Sequence, residues 1–185
     1  METDSLVKHE YLGGAVHAMA GATVGHNRIA GNFLVEMGRQ LKGKPCEPFN
    51  SDTKVRISLP NHVRFYYPDA MVVCDSNPQS DLFQDRPVII AEVLSPSTRR
   101  VDLCEKRDAY LTIPSLRVLL LIDSGEPAVT LYRRSGGSDA FETEYHAGLS
   151  TTIPLPEIDA VLSLADLYER VDFSAEPADD AGVSA

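Results

Sequence analysis

The sequence predicts an α/β (α+β) fold, a mixed β-sheet flanked by helices, and three features carry that prediction. Residues 70–74 and 88–94 are nearly continuous apolar runs, as central strands buried on both faces are. A charged helical stretch at 99–112 stands between the second run and a third, 118–122, the strand–helix–strand order of a crossover connection. Upstream, Ile29, Phe33, Leu34, Met37 and Leu41 recur at three- and four-residue steps, the period of a helix with one buried face.

The elements follow in chain order. Residues 11–19 alternate around Gly13-Gly14, a pair that supplies positive φ without steric cost, so a short hairpin or extended arm is expected. Thr23 can cap the helix, which should end near Gly43 and Pro45. Residues 54–59 alternate polar with apolar as a half-buried strand does, and Pro60-Asn61-His62 closes it as a turn. Segments 129–132 and 141–145 read as outer strands around Ser135-Gly136-Gly137-Ser138, and Ser163-Leu164-Ala165-Asp166 resembles a capping box opening a short last helix. Residues 174–185 hold three acidic and no basic side chains among Ala, Pro and Gly, the composition of a disordered tail, which leaves 1–173 as one folded domain.

Composition narrows the function. With 17 basic against 27 acidic side chains the net charge is −10, a sign that repels phosphate, so a nucleic-acid reading requires a local basic groove or a metal. The apolar runs fall far short of the roughly 20 residues of a membrane helix. Glu2, Asp4 and Glu10 stand where a signal sequence would be basic and then apolar, and the expectation is a soluble cytoplasmic protein with no membrane partner. Cys46, Cys74 and Cys104 are odd in number and widely spaced, fitting neither a disulfide framework nor a structural zinc site, so three reduced thiols are expected. His9, His17, His26, His62 and His146 form no H-x-H or H-E-x-x-H pair, which argues against a zinc enzyme.

Three polar residues fall where burial is expensive: Asp69 at the mouth of one central strand, Glu92 inside the next, and Lys106 in the following helix. An ionised carboxylate in an apolar strand costs several kcal/mol of desolvation unless a cation or several donors compensate it. If the two strands are neighbours, Asp69 and Glu92 converge at one end of the sheet as hard oxygen ligands for Mg²⁺ or Mn²⁺, with Lys106 reaching the same point. Such a set suits phosphodiester hydrolysis, in which a metal neutralises phosphoryl oxygens and an ammonium steadies developing charge. The alternative is a buried Glu92–Lys106 ion pair, with Asp69 an ordinary turn residue at a strand end.

The segments Tyr66-Tyr67-Pro68-Asp69-Ala70-Met71-Val72-Val73-Cys74-Asp75 and Glu92-Val93-Leu94-Ser95-Pro96-Ser97-Thr98, then Asp102 and Lys106 to Tyr110, resemble one family. It is the Uma-type, restriction-endonuclease-like group common in cyanobacteria, within the PD-(D/E)XK nuclease superfamily. The resemblance extends through Ala20-Gly21-Ala22, His26-Asn27-Arg28-Ile29-Ala30-Gly31-Asn32 and Lys42-Gly43-Lys44-Pro45-Cys46 to Leu167-Tyr168-Glu169, nearly the whole chain. It implies a restriction-endonuclease-like core with Asp69 and Glu92 as metal ligands and the Val93 carbonyl as a third. In the parent pattern a lysine stands two residues after the acidic one, where this chain has Leu94; the resemblance places the lysine at Lys106 instead.

Several further residues are candidates for supporting roles. Asp102 precedes Lys106 by four residues and can hold it or form an exposed ion pair. Glu10 and His26 can approach the metal from the N-terminal elements, or serve as surface and packing residues. Arg99, Arg100 and Arg107, with Lys42 and Lys44, are candidate phosphate contacts or a solvated charged face. The leading expectation is a Mg²⁺-dependent (or Mn²⁺-dependent) endonuclease hydrolysing DNA as a homodimer, whose twofold axis would match that of the duplex. The competing readings are a non-catalytic binding or assembly module on the same fold, and a metal-dependent phosphoesterase for a small substrate.

Overall fold

Three apolar strands make the centre of the fold, and everything that bears on the site hangs from them. The computed structural model describes residues 9–12, 15–18, 23–60, 62–95, 102–136 and 139–174. The central strands are β6 (Ala70–Val73), β8 (Pro87–Leu94) and β9 (Val118–Asp123), buried along almost their whole length. With β3 (Glu47–Asn50), β10 (Ala128–Arg134) and β11 (Phe141–Ala147) they form a six-stranded sheet of order β11-β10-β9-β8-β6-β3. β8 and β9 run parallel and the other neighbours antiparallel, so the sheet is mixed, as the apolar runs predict.

The long helix α1 (Val24–Leu41) covers one face of this sheet. The Thr23 hydroxyl accepts the His26 N–H at 3.2 Å, the expected cap, and Gly43 leaves the far end at a φ of 80°. Ile29, Phe33, Met37 and Leu41 pack on Ala70, Val72, Ile89, Ala91 and Val93, while Leu34 is only half-buried. A hairpin of β12 (Thr152–Leu155) and β13 (Ala160–Ser163) and the short helix α3 (Leu164–Leu167), capped by Ser163, complete that face. The sequence reading omits this hairpin and β3; prolines at 154 and 48 interrupt their strand pattern.

Against the opposite face lies a second sheet of order β2-β1-β5-β4-β7. Its strands are β1 (His9–Leu12), β2 (Ala15–Ala18), β4 (Lys54–Ser58), β5 (Val63–Tyr66) and the two-residue β7 (Phe83–Gln84). The pairing of β1 with β2 is the hairpin expected around Gly13-Gly14. Val55, Ile57 and Tyr66 meet Met71, Val73, Ile90, Leu94, Leu119 and Leu121 of the central sheet, together with Tyr110, Ile113 and Leu116.

Two expectations need correction. The helical stretch expected at 99–112 ends earlier, at Tyr110: within the described residues a π-helical turn, Asp102–Lys106, runs into one α-helical turn, α2 (Arg107–Tyr110), and the chain then turns toward Pro114, which cannot continue a helix, while residues 99–101 lie outside the described residues. The cysteines are not three reduced thiols. Cys46 and Cys74 form a disulfide, and Cys104 is the free, exposed thiol. The cause is register: Glu47 pairs with Val73 across β3 and β6, and one further step sets Cys46 opposite Cys74, which their sequence separation of 28 does not reveal. Among the described residues no helix is long and apolar enough to cross a membrane. The acidic stretch 175–185 lies outside the described residues.

Candidate active site

The pairing of β6 with β8 sets the two acidic residues at neighbouring backbone positions. Ala70 stands opposite Ala91, and that register continued by one residue sets Asp69, just before β6, opposite Glu92. The Asp69 carboxylate is fixed at one oxygen, because Oδ2 accepts the Val93 N–H at 2.7 Å and lies 3.2 Å from His26 Nε2. His26 reaches it from the first turn of α1, so the Thr23 cap also orients the imidazole-bearing turn. A strand residue directs its N–H and C=O to the same edge, so the Val93 carbonyl faces β6 as its amide does.

Glu92 is 2% exposed in the middle of an apolar strand, and its burial is compensated from the other side of the crossover. Tyr110 donates its hydroxyl to Glu92 Oε1 at 2.6 Å, and Lys106 Nζ stands 3.4 Å from the same oxygen. Lys106 ends the π-helical turn and is itself 6% exposed. Behind them, Tyr66 meets the Tyr110 ring edge-on at 5.5 Å between centroids. Arg64 donates to the Tyr66 hydroxyl at 3.0 Å and lies 3.4 Å from Glu105, the residue before Lys106.

The sequence-derived candidates thus divide. Asp69 is grouped with His26 and the Val93 N–H, and Glu92 with Lys106. Leu94, at the position of the parent pattern's lysine, is buried in the apolar cluster beneath the second sheet. Arg107 is engaged by Asp108 at 2.7 Å and approaches the Tyr132 ring at 6.0 Å, and Lys44 is engaged by Asp159 at 2.7 Å. Glu10 sits in β1 opposite His17, and Asp102 opens the π-helical turn, but their side chains lie outside the described residues, as do Arg99 and Arg100 entirely. Tyr110, Tyr66 and Arg64 are absent from the sequence-derived set. Tyr110 carried a usable signal: a tyrosine four residues after Lys106 in an element facing the core must find a partner for its hydroxyl.

By residue type, Asp69, Glu92 and the Val93 carbonyl are the hard oxygen donors that Mg²⁺ or Mn²⁺ takes. Among the described residues no three His, Cys, Asp or Glu side chains stand in metal-holding geometry.

A family model described as "Uma2: Putative restriction endonuclease" matches residues 1–165. The chain belongs to the Uma2 family. Two Synechocystis proteins, named "Uncharacterized protein slr1290" and "Uncharacterized protein sll1609", are similar to it at 32% identity. The first alignment covers 90% of this chain and 86% of the relative, the second 77% and 81%. The fold is shared with a crystal structure from Anabaena variabilis described as "a putative nuclease belonging to DUF820", with a TM-score of 0.70 at 19% identity over 89% of this chain and 91% of that one. The Uma2 chain therefore carries a nuclease-type fold, with the Glu92–Lys106 contact where a central strand meets the crossover.

Proposed function

We propose that this Uma2 protein is a divalent-metal-dependent endonuclease that hydrolyses DNA phosphodiester bonds. The observation that supports the reading is the buried Glu92–Lys106 contact, Glu92 2% exposed with Lys106 Nζ 3.4 Å from it, on the strand that pairs with β6 beside Asp69. Asp69, Glu92 and the Val93 carbonyl would hold Mg²⁺ or Mn²⁺, which when bound neutralises phosphoryl oxygens and lowers the pKa of a bound water. His26 and the Val93 N–H hold Asp69 in place from two directions. Lys106 would steady the negative charge that develops on the phosphoryl group, where a fixed positive charge in a partly dry site counts for more than in water. A homodimer would supply two such centres for a duplex, and a local cationic surface would offset the net charge of −10.

A second reading has its own support. The Lys106–Glu92 contact is a buried ion pair, which a binding or assembly module would keep for structure alone. Incubation of supercoiled plasmid with Mg²⁺ or Mn²⁺ separates the two. Metal-dependent nicking or linearisation by the wild type and its loss in Glu92→Gln support the nuclease; intact plasmid, with DNA retained in a mobility shift, supports the binding module. Cleavage of a small phosphodiester but not of plasmid would move the reading to a phosphoesterase. Light scattering at micromolar protein reads the dimer as a mass twice that of one chain.

A further inference from the structure

The six-stranded sheet ends on β11, and among the described residues no strand pairs with its outer edge. Which backbone groups stand on that edge follows from the two ends of the β10–β11 ladder. Ser135 N–H donates to the Ala140 carbonyl at 3.0 Å and Gly148 N–H to the Pro127 carbonyl at 2.8 Å, so in this register the even-numbered residues of β11 bond to β10. Phe141, Thr143, Tyr145 and Ala147 therefore direct their N–H and C=O groups away from the sheet. Of these, the Ala147 carbonyl takes the Thr151 hydroxyl at 2.6 Å and keeps its second lone pair. The opposite edge of the sheet, β3, is four residues long and carries Pro48, which has no N–H to offer, whereas β11 runs for seven residues without proline or lysine to blunt it. Its acidic side chains are held within the subunit, Glu144 by Arg133 at 2.8 Å and His146 at 3.0 Å, and Glu142 by the Ser135 hydroxyl at 2.6 Å. Tyr145 is 65% exposed on the same strand.

We infer that β11 is the interface of the homodimer put forward above, on which this inference rests: it pairs antiparallel with β11 of a second copy and joins two six-stranded sheets into one. A twofold axis through the edge makes every contact reciprocal, so the register is fixed by the residue that lies on the axis. Charge selects that residue. With Thr143 on the axis, Glu142 faces Glu144 of the second copy, and with Glu144 on the axis the two Glu144 side chains face each other; like charges directly opposite are destabilising. With Tyr145 on the axis, Glu144 faces His146 of the second copy on both sides and the two exposed tyrosines form an aromatic cross-strand pair. The same register sets outward-facing residues opposite each other, Tyr145 with Tyr145 and Thr143 with Ala147, and each such pair exchanges two N–H···O=C bonds.

The test uses the full chain, with light scattering and sedimentation velocity at micromolar protein, where the wild type should have twice the mass of one chain. Thr143→Pro removes an outward N–H and no bond to β10, and it should leave a monomer that circular dichroism shows to be folded. Tyr145→Lys sets two ammonium groups together on the axis and should raise the dimer dissociation constant at least about tenfold. Oxidative cross-linking reads the register in a Cys104→Ser background, which removes the free exposed thiol. There Tyr145→Cys should link to its own copy, since facing residues of a bonded pair stand about 5.5 Å apart between Cα atoms, within the reach of a disulfide. Thr143→Cys should not link to itself but should link when mixed with Ala147→Cys. Where Thr143→Pro does not fold, Tyr145→Lys and the cross-links still decide. A dimer that Tyr145→Lys leaves unweakened, or linkage by Thr143→Cys alone and not by Tyr145→Cys, would overturn this interface while leaving the homodimer standing. A wild type with the mass of one chain would overturn the homodimer itself, and plasmid cleavage by that monomer would leave the nuclease reading in place.

Discussion

Two clusters of ionised groups sit on the same central sheet, and they are built on opposite rules. On its outer strands, Arg133 of β10 donates to Glu144 of β11 at 2.8 Å, to Glu157, and to the Pro154 carbonyl at 2.9 Å, so one cation is saturated by two carboxylates and a backbone oxygen. At the end of β6 and β8 the order is reversed: Glu92 takes the Tyr110 hydroxyl at 2.6 Å with Lys106 Nζ at 3.4 Å, and Asp69 takes the Val93 N–H at 2.7 Å with His26 at 3.2 Å. The first cluster is one cation held between two carboxylates, as in a structural ion-pair network. The second gathers donors from α1, β8 and the crossover onto carboxylates at a strand end, the setting in which functional groups are found.

The largest effect to expect lies in neither cluster, and it calibrates both. The Cys46–Cys74 disulfide closes the chain between β3 and the far end of β6 from Asp69. Reduction should lower the unfolding free energy by about 3–4 kcal/mol through the gain in denatured-chain entropy. Urea titrations with and without a thiol reductant, with Mn²⁺ affinity measured alongside, check it; a parallel loss of Mn²⁺ affinity would mean that the two ends of β6 are coupled.

Next in size is the response to metal. At 100 times its dissociation constant Mg²⁺ should stabilise the wild type by about 2.7 kcal/mol if it binds only the folded chain. Glu92→Gln should lose this stabilisation, and plasmid cleavage should fall at least about 100-fold, since even supporting residues around a metal are worth 10–100-fold. Differential scanning calorimetry against Mg²⁺ concentration reads the first and gel densitometry the second. A variant that keeps its metal-dependent melting shift would place the site elsewhere.

Breaking the closed cluster should give the opposite signature. Arg133→Met leaves Glu157 and Glu144 without their guanidinium, and the fold should lose about 1–3 kcal/mol, the cost of stranding half-buried polar groups. Its Mn²⁺ affinity and cleavage should stay at wild-type values, and denaturant unfolding beside Mn²⁺ titration measures both. A drop in Mn²⁺ affinity would erase the distinction between the clusters.

The smallest effect is in acid. Burial pushes the Glu144 carboxyl up, but hydrogen bonds and charge from Arg133 and His146 outweigh it and hold it below its ordinary 4.5. A depressed carboxylate contributes stability that is complete above the unfolded value near 4.5 and is lost as pH falls through the lower folded value. Solvent screening keeps that contribution under about 1 kcal/mol. Stability profiles between pH 6 and 2 should therefore show a shallower acid loss in Arg133→Met than in the wild type; profiles of equal slope would remove Arg133 as the cause.

What the residues determine by themselves is what depends on neighbours in sequence. Thr23 caps α1 and the Ile29–Phe33–Met37–Leu41 period sets its buried face, because a helix closes its bonds within four residues. The apolar runs at β6, β8 and β9 identify the sheet's centre, and the desolvation cost of a carboxylate inside such a run singles out Glu92 before any partner is known. The same cost argument singles out Asp69 at a strand mouth and Lys106 in the following helix, and the family resemblance points to the same residues. Tertiary structure alone decides which strands are neighbours and in what register, since pairing depends on residues tens of positions apart. From that register come the place of Asp69 opposite Glu92 and the bond between Cys46 and Cys74, and from the packing of α1 the arrival of His26 at Asp69. The phenol beside Glu92 also belongs to the fold, because it is the packing of Tyr110 on Tyr66 behind the π-helical turn that carries its hydroxyl to the carboxylate next to Lys106.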